Sequence, residues 1–275
     1  MFNVILITLG FSALLAFILG LALGFFQEKF KVERDPLIDE VRAALPGANC
    51  GGCGYPGCDG YAEAAATHAA PPNKCSAGGA ATAKAVAALV GGKAEAVDLV
   101  SVLRCHGTKA KAALRGNYVG VPTCRAAKLS SGSVKACAWG CQGFGDCVAV
   151  CKFGALSMGD DGLPRVDHAL CTGCGMCEAE CPQKLFALVP RQRRGSIVLC
   201  SNRNPVKTAV IKDCKAGCIK CEACVRACPE QCISMVNGIP ETDYEKCTSC
   251  GACVDKCPTK CYVLLDDGQP SKAQG

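Results

Sequence analysis

Thiols carry the chemistry of this chain: 26 of its 275 residues are cysteine, most of them in C-x2-C-x2-C-x3-C-P strings or close variants. Thiolates at such spacing bind zinc or iron-sulfur clusters. The first group is Cys50, Cys53 and Cys58 in PGANCGGCGYPGC, with Cys75 following an Ala-rich stretch. Glycines here let the backbone wrap closely and aim amides at sulfur. Zinc sites more often show two C-x2-C pairs, so a compact loop of three cysteines plus a remote fourth favours a four-iron cubane. The remaining strings form a repeat. Cys137, Cys141, Cys147 and Cys151 recur 77 residues later as Cys214, Cys218, Cys224 and Cys228. Cys171, Cys174, Cys177 and Cys181 recur 76 residues later as Cys247, Cys250, Cys253 and Cys257. The one-residue slip falls between LSMGDDGLPRVD and ISMVNGIPETD, a hairpin tip that tolerates a deletion.

The elements that position these thiols begin with an uncharged run, FNVILITLGFSALLAFILGLALGFF. It is long enough to cross a bilayer. It has no basic residue before it and outlasts the apolar core of a secretory signal. The reading is therefore a membrane anchor over residues 1–26. Lys29, Lys31 and Arg34 follow it, which puts the rest of the chain on the cytoplasmic side of the cell (inner) membrane, single-pass. Gly20 and Gly24 give the anchor a small-x3-small face where another helix can approach. Residues 27–45 read as a juxtamembrane linker and 46–98 as the four-cysteine domain with Ala-rich helices. Pro71 and Pro72 stop the helix after Asp59 so that Cys75 can return to the loop. A helix, a break at Gly91 and Gly92, and a strand ending near Leu103 come next. Residues 99–190 and 191–265 are the two repeats, and 266–275 a polar tail.

A reducing compartment makes metal, not disulfide, the fate of the cysteines. The formal charge of +6 is no sign of nucleic-acid binding. A resting cubane with its four thiolates carries about −2, so five clusters leave the chain at roughly −4. No strand followed by a G-x-G-x-x-G turn is present for a dinucleotide, and Gly143 and Gly145 lie inside a ligand loop. No nucleophile is paired with a base, so any hydride transfer belongs to a partner. His68, His106 and His168 follow no ligand spacing and read as surface or capping residues, while Trp139 reads as a cluster shield.

Each repeat, with cysteine string, hairpin and second string, resembles the bacterial two-cluster ferredoxin. That resemblance implies that three cysteines of a string bind one cluster and the fourth ligates the other. The implied sets are Cys218, Cys221, Cys224 and Cys257; Cys247, Cys250, Cys253 and Cys228; and Cys171, Cys174, Cys177 and Cys151. The remaining site departs from the pattern, because Phe144 stands where Cys221 stands in the other copy. Cys137, three residues before Cys141, is the natural substitute, giving Cys137, Cys141, Cys147 and Cys181. Cys232 and Cys261 read as packing residues beside clusters. Cys105, Cys124, Cys200 and Cys214 are unassigned: a sixth cluster or inert buried thiols. Cys124 and Cys200 are 76 apart, yet VLRC at Cys105 resembles VLC at Cys200, so the repeat leaves the equivalent pair open.

The whole order of apolar anchor, PGANCGGCGYPGC with a remote cysteine, and ferredoxin strings is similar to the B subunit of the Rnf family, the ion-translocating ferredoxin:NAD oxidoreductases. The resemblance implies an α+β chain: one transmembrane helix, a small helical 4Fe-4S domain and two tandem two-cluster ferredoxin-like domains. It implies five, or with the open cysteines six, [4Fe-4S] clusters. It also implies electrons taken from reduced soluble ferredoxin and passed toward a flavin- and NAD-binding subunit and membrane subunits that move Na+ or H+. Short members carry one ferredoxin unit where this chain carries two. Two rivals remain: a polyferredoxin-like subunit of a hydrogenase or carbon monoxide dehydrogenase system, and a structural zinc module.

Overall fold

The structure, a computed structural model, describes residues 2–30, 35–95 and 97–270, with side chains of residues 2–5 excepted. Lys31 and Arg34 of the basic flank, and residues 271–275 of the polar tail, lie outside the described residues. Helix α1, Phe2–Lys29, is apolar on every side. From Leu6 onward its mean hydropathy is 2.5 and none of it is buried by the rest of the chain. A helix that is hydrophobic all round and uncovered by protein suits a lipid surrounding. Added Cβ atoms at Gly20 and Gly24 would meet nothing, so their stripe is open.

Helix α2, Pro36–Ala44, falls within the stretch read from sequence as linker, but it is helical and part of the first cluster domain. Asp35 caps it, accepting from the Leu37 amide at 2.9 Å, and Pro36 occupies the first helical position. Its Val41 and the following Leu45 are buried against α3, Cys58–Ala66, and α4, Gly79–Val90. The sequence signal was the alternation of Leu37, Ile38 and Val41 with charged residues, which gives one apolar stripe. Arg42 pairs with Asp59 at 2.8 Å across the α2–α3 seam. Tyr61, almost wholly buried, donates from its hydroxyl to the Pro71 carbonyl at 2.8 Å and accepts from the Lys74 amide at 3.3 Å. This one side chain folds the return loop back so that Cys75 faces the other three cysteines.

The two repeats share a strand plan. In the first, β1, Leu99–Leu103, pairs antiparallel with β4, Phe186–Pro190. Between them lie α5, Cys124–Ser131, α6, Asp146–Ala149, the hairpin β2, Leu156–Met158, and β3, Pro164–Val166, and α7, Met176–Glu180. In the second, β5, Gly195–Val198, pairs antiparallel with β8, Tyr262–Asp266. Between these come α8, Lys207–Asp213, α9, Ala223–Ala227, the hairpin β6, Ile233–Val236, and β7, Ile239–Thr242, and α10, Ala252–Asp255. The second hairpin closes through Asn237 and Gly238, both at positive φ, the usual two-residue turn for right-twisted strands. A short β9, Gln269–Pro270, adds to β8, so the polar tail begins inside the sheet.

The register settles which cysteines correspond. Leu103 faces Phe186 and Val198 faces Tyr262, and Phe186 and Tyr262 are 76 apart in the repeat. Cys105 and Cys200 therefore both lie two residues beyond the end of the opening strand. From Cys105 to Cys137 is 32 residues but from Cys200 to Cys214 only 14, so the first repeat carries an insertion of 18 that includes α5 and Cys124. The spacing of 76 between Cys124 and Cys200 is coincidence.

Candidate metal centres

The cysteines gather in sets of four. Cys50, Cys53, Cys58 and Cys75 face one another across the Gly-rich loop, and burial together with the other three thiols raises Cys75. The Cys58 amide, at the start of α3, donates to Asn49 Oδ1 at 2.8 Å and fixes the loop onto the helix. Cys151, Cys171, Cys174 and Cys177 line one pocket. Ser101 of β1 serves it twice, its amide donating to Cys171 Sγ at 3.5 Å and its hydroxyl lying 3.2 Å from Cys177 Sγ. His168, read from sequence as surface or capping, is buried and holds the Ser101 carbonyl at 3.0 Å through Nε2. In the second repeat Cys228, Cys247, Cys250 and Cys253 line one pocket. Cys218, Cys221, Cys224 and Cys257 line another. Ser196, the register equivalent of Ser101, hydrogen-bonds Cys253 as Ser101 does Cys177.

The irregular site differs from the sequence expectation. Cys137 does not join Cys141, Cys147 and Cys181; Cys124 does. Its thiol lies near enough to Cys141 and Cys147 to raise both electrostatically, and burial, the larger cause, takes each up to about 12. Cys181 packs beside Cys141 and also acts on Cys147. Thr123 caps α5 by accepting from the Ala126 amide at 3.2 Å, and Asp146 accepts from the Cys124 and Arg125 amides at 3.0 and 3.2 Å. The helix start is thereby pinned to the loop that carries Phe144, whose amide donates to the Cys124 sulfur. The ring of Phe144 turns away to Tyr118, 5.5 Å between centroids. Helix α5 thus delivers in space the thiol that position 144 lacks in sequence. The available signal was that the repeat missing a string cysteine is the one whose insertion contains an extra one.

Cys137 lines a separate pocket together with Cys105, Cys200, Cys214, His106 and Trp139. The other two cysteines without a string, Cys232 and Cys261, sit against string thiols: Cys232 Sγ is 3.3 Å from Cys228 Sγ and Cys261 Sγ 3.8 Å from Cys257 Sγ. A hydrogen bond from Cys261 holds Cys257 down to about 5 and Cys218 down to about 7, and Cys261 itself is raised. Burial, then its bond to Cys228, raises Cys232 to about 12.

The sets follow one another through the molecule. Gly52 lies so close to the Cys174 carbonyl that a Cβ would overlap it, and Cys50 acts electrostatically on Cys174. Cys177 acts on Cys147. Cys105 acts on Cys141, and the Cys218 amide donates to Cys200 Sγ at 3.3 Å. Pockets ringed by four thiols that receive N–H and O–H donors, with no three ligating side chains among the described residues converging as on a single ion, fit a polyatomic iron-sulfur cluster. Thiolates on a single zinc, each about 2.3 Å from the ion, would instead converge on one point.

Three family models match the chain: "Putative Fe-S cluster" over residues 45–77, "4Fe-4S binding domain" over 164–184 and "4Fe-4S dicluster domain" over 217–261. Among curated proteins it is 44% identical to the B subunit of the Na(+)-translocating ferredoxin:NAD(+) oxidoreductase complex of Acetobacterium woodii, covering 90% of this chain and 74% of the relative. It is 42% identical to the B subunit of the ion-translocating oxidoreductase complex of Methanosarcina acetivorans, covering 90% and 93%. With the B subunit of the proton-translocating ferredoxin:NAD(+) oxidoreductase complex of Clostridium ljungdahlii it shares 40% identity, covering 78% and 76%. Anchor helix, iron-sulfur domains and these relatives agree, and the chain belongs to the B-subunit family of ion-translocating ferredoxin:NAD oxidoreductase complexes.

Proposed function

We propose that this protein relays single electrons from reduced soluble ferredoxin to other subunits of its complex, through [4Fe-4S] clusters held by five sets of cysteines. The sets are Cys50, Cys53, Cys58, Cys75; Cys151, Cys171, Cys174, Cys177; Cys124, Cys141, Cys147, Cys181; Cys218, Cys221, Cys224, Cys257; and Cys228, Cys247, Cys250, Cys253. Cys124 takes the place that string spacing gives to Cys137. Each bound cluster supplies a one-electron couple whose potential its surroundings tune. The observation that carries the reading is the unbroken succession of cysteine sets, beginning next after the anchor in sequence and ending at the set of Cys250. Of the 26 cysteines, Cys250 alone is exposed, so the far set is the one most open to a soluble donor. Burial raises Cys141, Cys147 and Cys177, whose protons metal must displace on binding, whereas Cys257, held down to about 5 by its hydrogen bond from Cys261, offers a thiolate from the start. Phe153 and Trp139 cover pockets beside the thiols. The anchor holds the sets at the membrane, on the cytoplasmic side where ferredoxin is found, and a flavin- and NAD-binding partner completes the two-electron chemistry.

Anaerobically purified full-length chain is expected to be brown and to bleach with dithionite. Mixed with reduced ferredoxin, it is expected to oxidise the ferredoxin and become reduced itself. A colourless protein, or a brown one that leaves reduced ferredoxin untouched, would overturn the relay or its donor respectively.

A further inference from the structure

We propose that Cys105, Cys137, Cys200 and Cys214 hold a sixth iron-sulfur cluster, built across the junction of the two repeats; this rests on the relay reading above. Their pocket holds the same small water-accessible space, about 20 Å³, as those formed by the complete string sets of Cys171 and Cys218. Like those, it is ringed by four thiols from segments far apart in sequence.

The symmetry of the set is the stronger argument. Cys137 and Cys214 are equivalent, 77 apart at the head of each string. Cys105 and Cys200 are equivalent by strand register, each two residues past the opening strand. Each repeat thus contributes the same two positions, as the two halves of an isologous interface would. Segments around these thiols join the repeats: Ala112 bridges to Cys214, the Lys215 amide donates to the Lys111 carbonyl at 2.8 Å, and Ser201 Oγ donates to the Arg104 carbonyl at 3.0 Å.

The polar lining suits a bound anion. Cys200 Sγ accepts from the amides of Cys218 and Asn202 at 3.3 and 3.5 Å, and Asn202 Nδ2 donates to Cys137 Sγ at 3.4 Å. These are the same kind of donor that Ser101 gives to Cys171 and Cys177. Lys135 is buried at the edge of the void with Nζ on the Gly107 carbonyl at 2.6 Å, a cation whose charge reaches Cys214 on one side and Cys141 on the other. The buried Nδ1 of His106 has no protein partner. A cluster with four thiolates, at about −2, gives Lys135 a counter-charge and offers the neutral His106 ring a sulfur to hydrogen-bond.

Position supplies the use. The Cys141 set and the Cys218 set both border these four thiols: Cys105 acts on Cys141, and the Cys218 amide donates to Cys200 Sγ at 3.3 Å. Four thiolates holding iron would place a one-electron couple between them, one neighbour losing the electron that the other gains, with no bond made or broken.

Iron, acid-labile sulfide and zinc counted on the anaerobic full-length chain test this, with electron paramagnetic resonance on the reduced protein. About 24 irons per chain are expected, with zinc absent, and about 20 in each of Cys105→Ala, Cys137→Ala, Cys200→Ala and Cys214→Ala, with one reduced-cluster spin lost. About 20 irons in the unmodified chain, unchanged iron in Cys214→Ala, or one zinc lost on that substitution would each overturn the sixth cluster while leaving the relay intact. Should the variants fail to fold, the count of about 24 against about 20 in the unmodified chain still decides. A colourless chain would instead overturn the relay reading itself.

Discussion

The two ferredoxin-like repeats solve one ligand problem in different ways. In the proposed sets the second takes all its thiols from its strings, in regular order. The first has Phe144 where the second has Cys221 and brings Cys124 of an inserted helix beside Cys141 and Cys147. The second adds Cys232 and Cys261 against its string thiols where the first has Ala155 and Leu185. The proposed sets therefore keep four thiols each by position in space, and what varies is the insulation and hydrogen bonding around each set. Equal iron in the two halves need not mean equal potentials.

The sharpest way to break this comparison is to move the borrowed thiol back. Cys124→Ala is expected to remove one cluster, about four irons, from the first repeat only. Adding Phe144→Cys is expected to restore it, since position 144 matches Cys221. Failure of both the loss and the rescue, read by iron count and spin quantitation, would return the irregular site to another ligand. Next in size is Tyr61→Phe, which removes the hydroxyl between Pro71 and Lys74. A lost buried hydrogen bond of this kind costs about 0.5–1.5 kcal/mol. The expected result is faster loss of the Cys75 cluster on air exposure or heating, with the ferredoxin repeats unaffected; a uniform change across all clusters would contradict a local role. The smallest effect sharpens the contrast between halves. Cys232→Ala with Cys261→Leu gives the second repeat the residues of the first. Iron should stay whole, while the two second-repeat potentials fall, because a donor that favours the more negative reduced state is gone. A net hydrogen bond of about 1 kcal/mol corresponds to roughly 40 mV for one electron. Potentiometric titration reads this, and an upward or absent shift would make the two thiols simple packing.

Much of the architecture was legible because it is written in spacing. The apolar run marked α1, the cysteine strings marked the repeat, and the one-residue slip marked the hairpin tips. What escaped was information carried by packing. Helix α2 is short and flanked by charge, and only the burial of Val41 shows that it belongs to the first cluster domain. The Cys137 expectation rested on proximity in sequence, whereas the structure sets that thiol beside Cys105, Cys200 and Cys214, two of them just past strand ends. Cys124 lies 20 residues before Phe144, and no linear pattern links it to Asp146, whose carboxylate holds it in place. The equivalence of Cys105 with Cys200 needed the pairing of Leu103 with Phe186, since an insertion hides it from counting.

The close approach of Gly52 to the Cys174 carbonyl separates composition from throughput. Any side chain at position 52 would wedge the anchor-proximal domain off the first repeat. Such a protein would keep its colour and its full complement of iron. It would nonetheless behave as a battery with a loosened terminal, complete by inventory and slow to discharge.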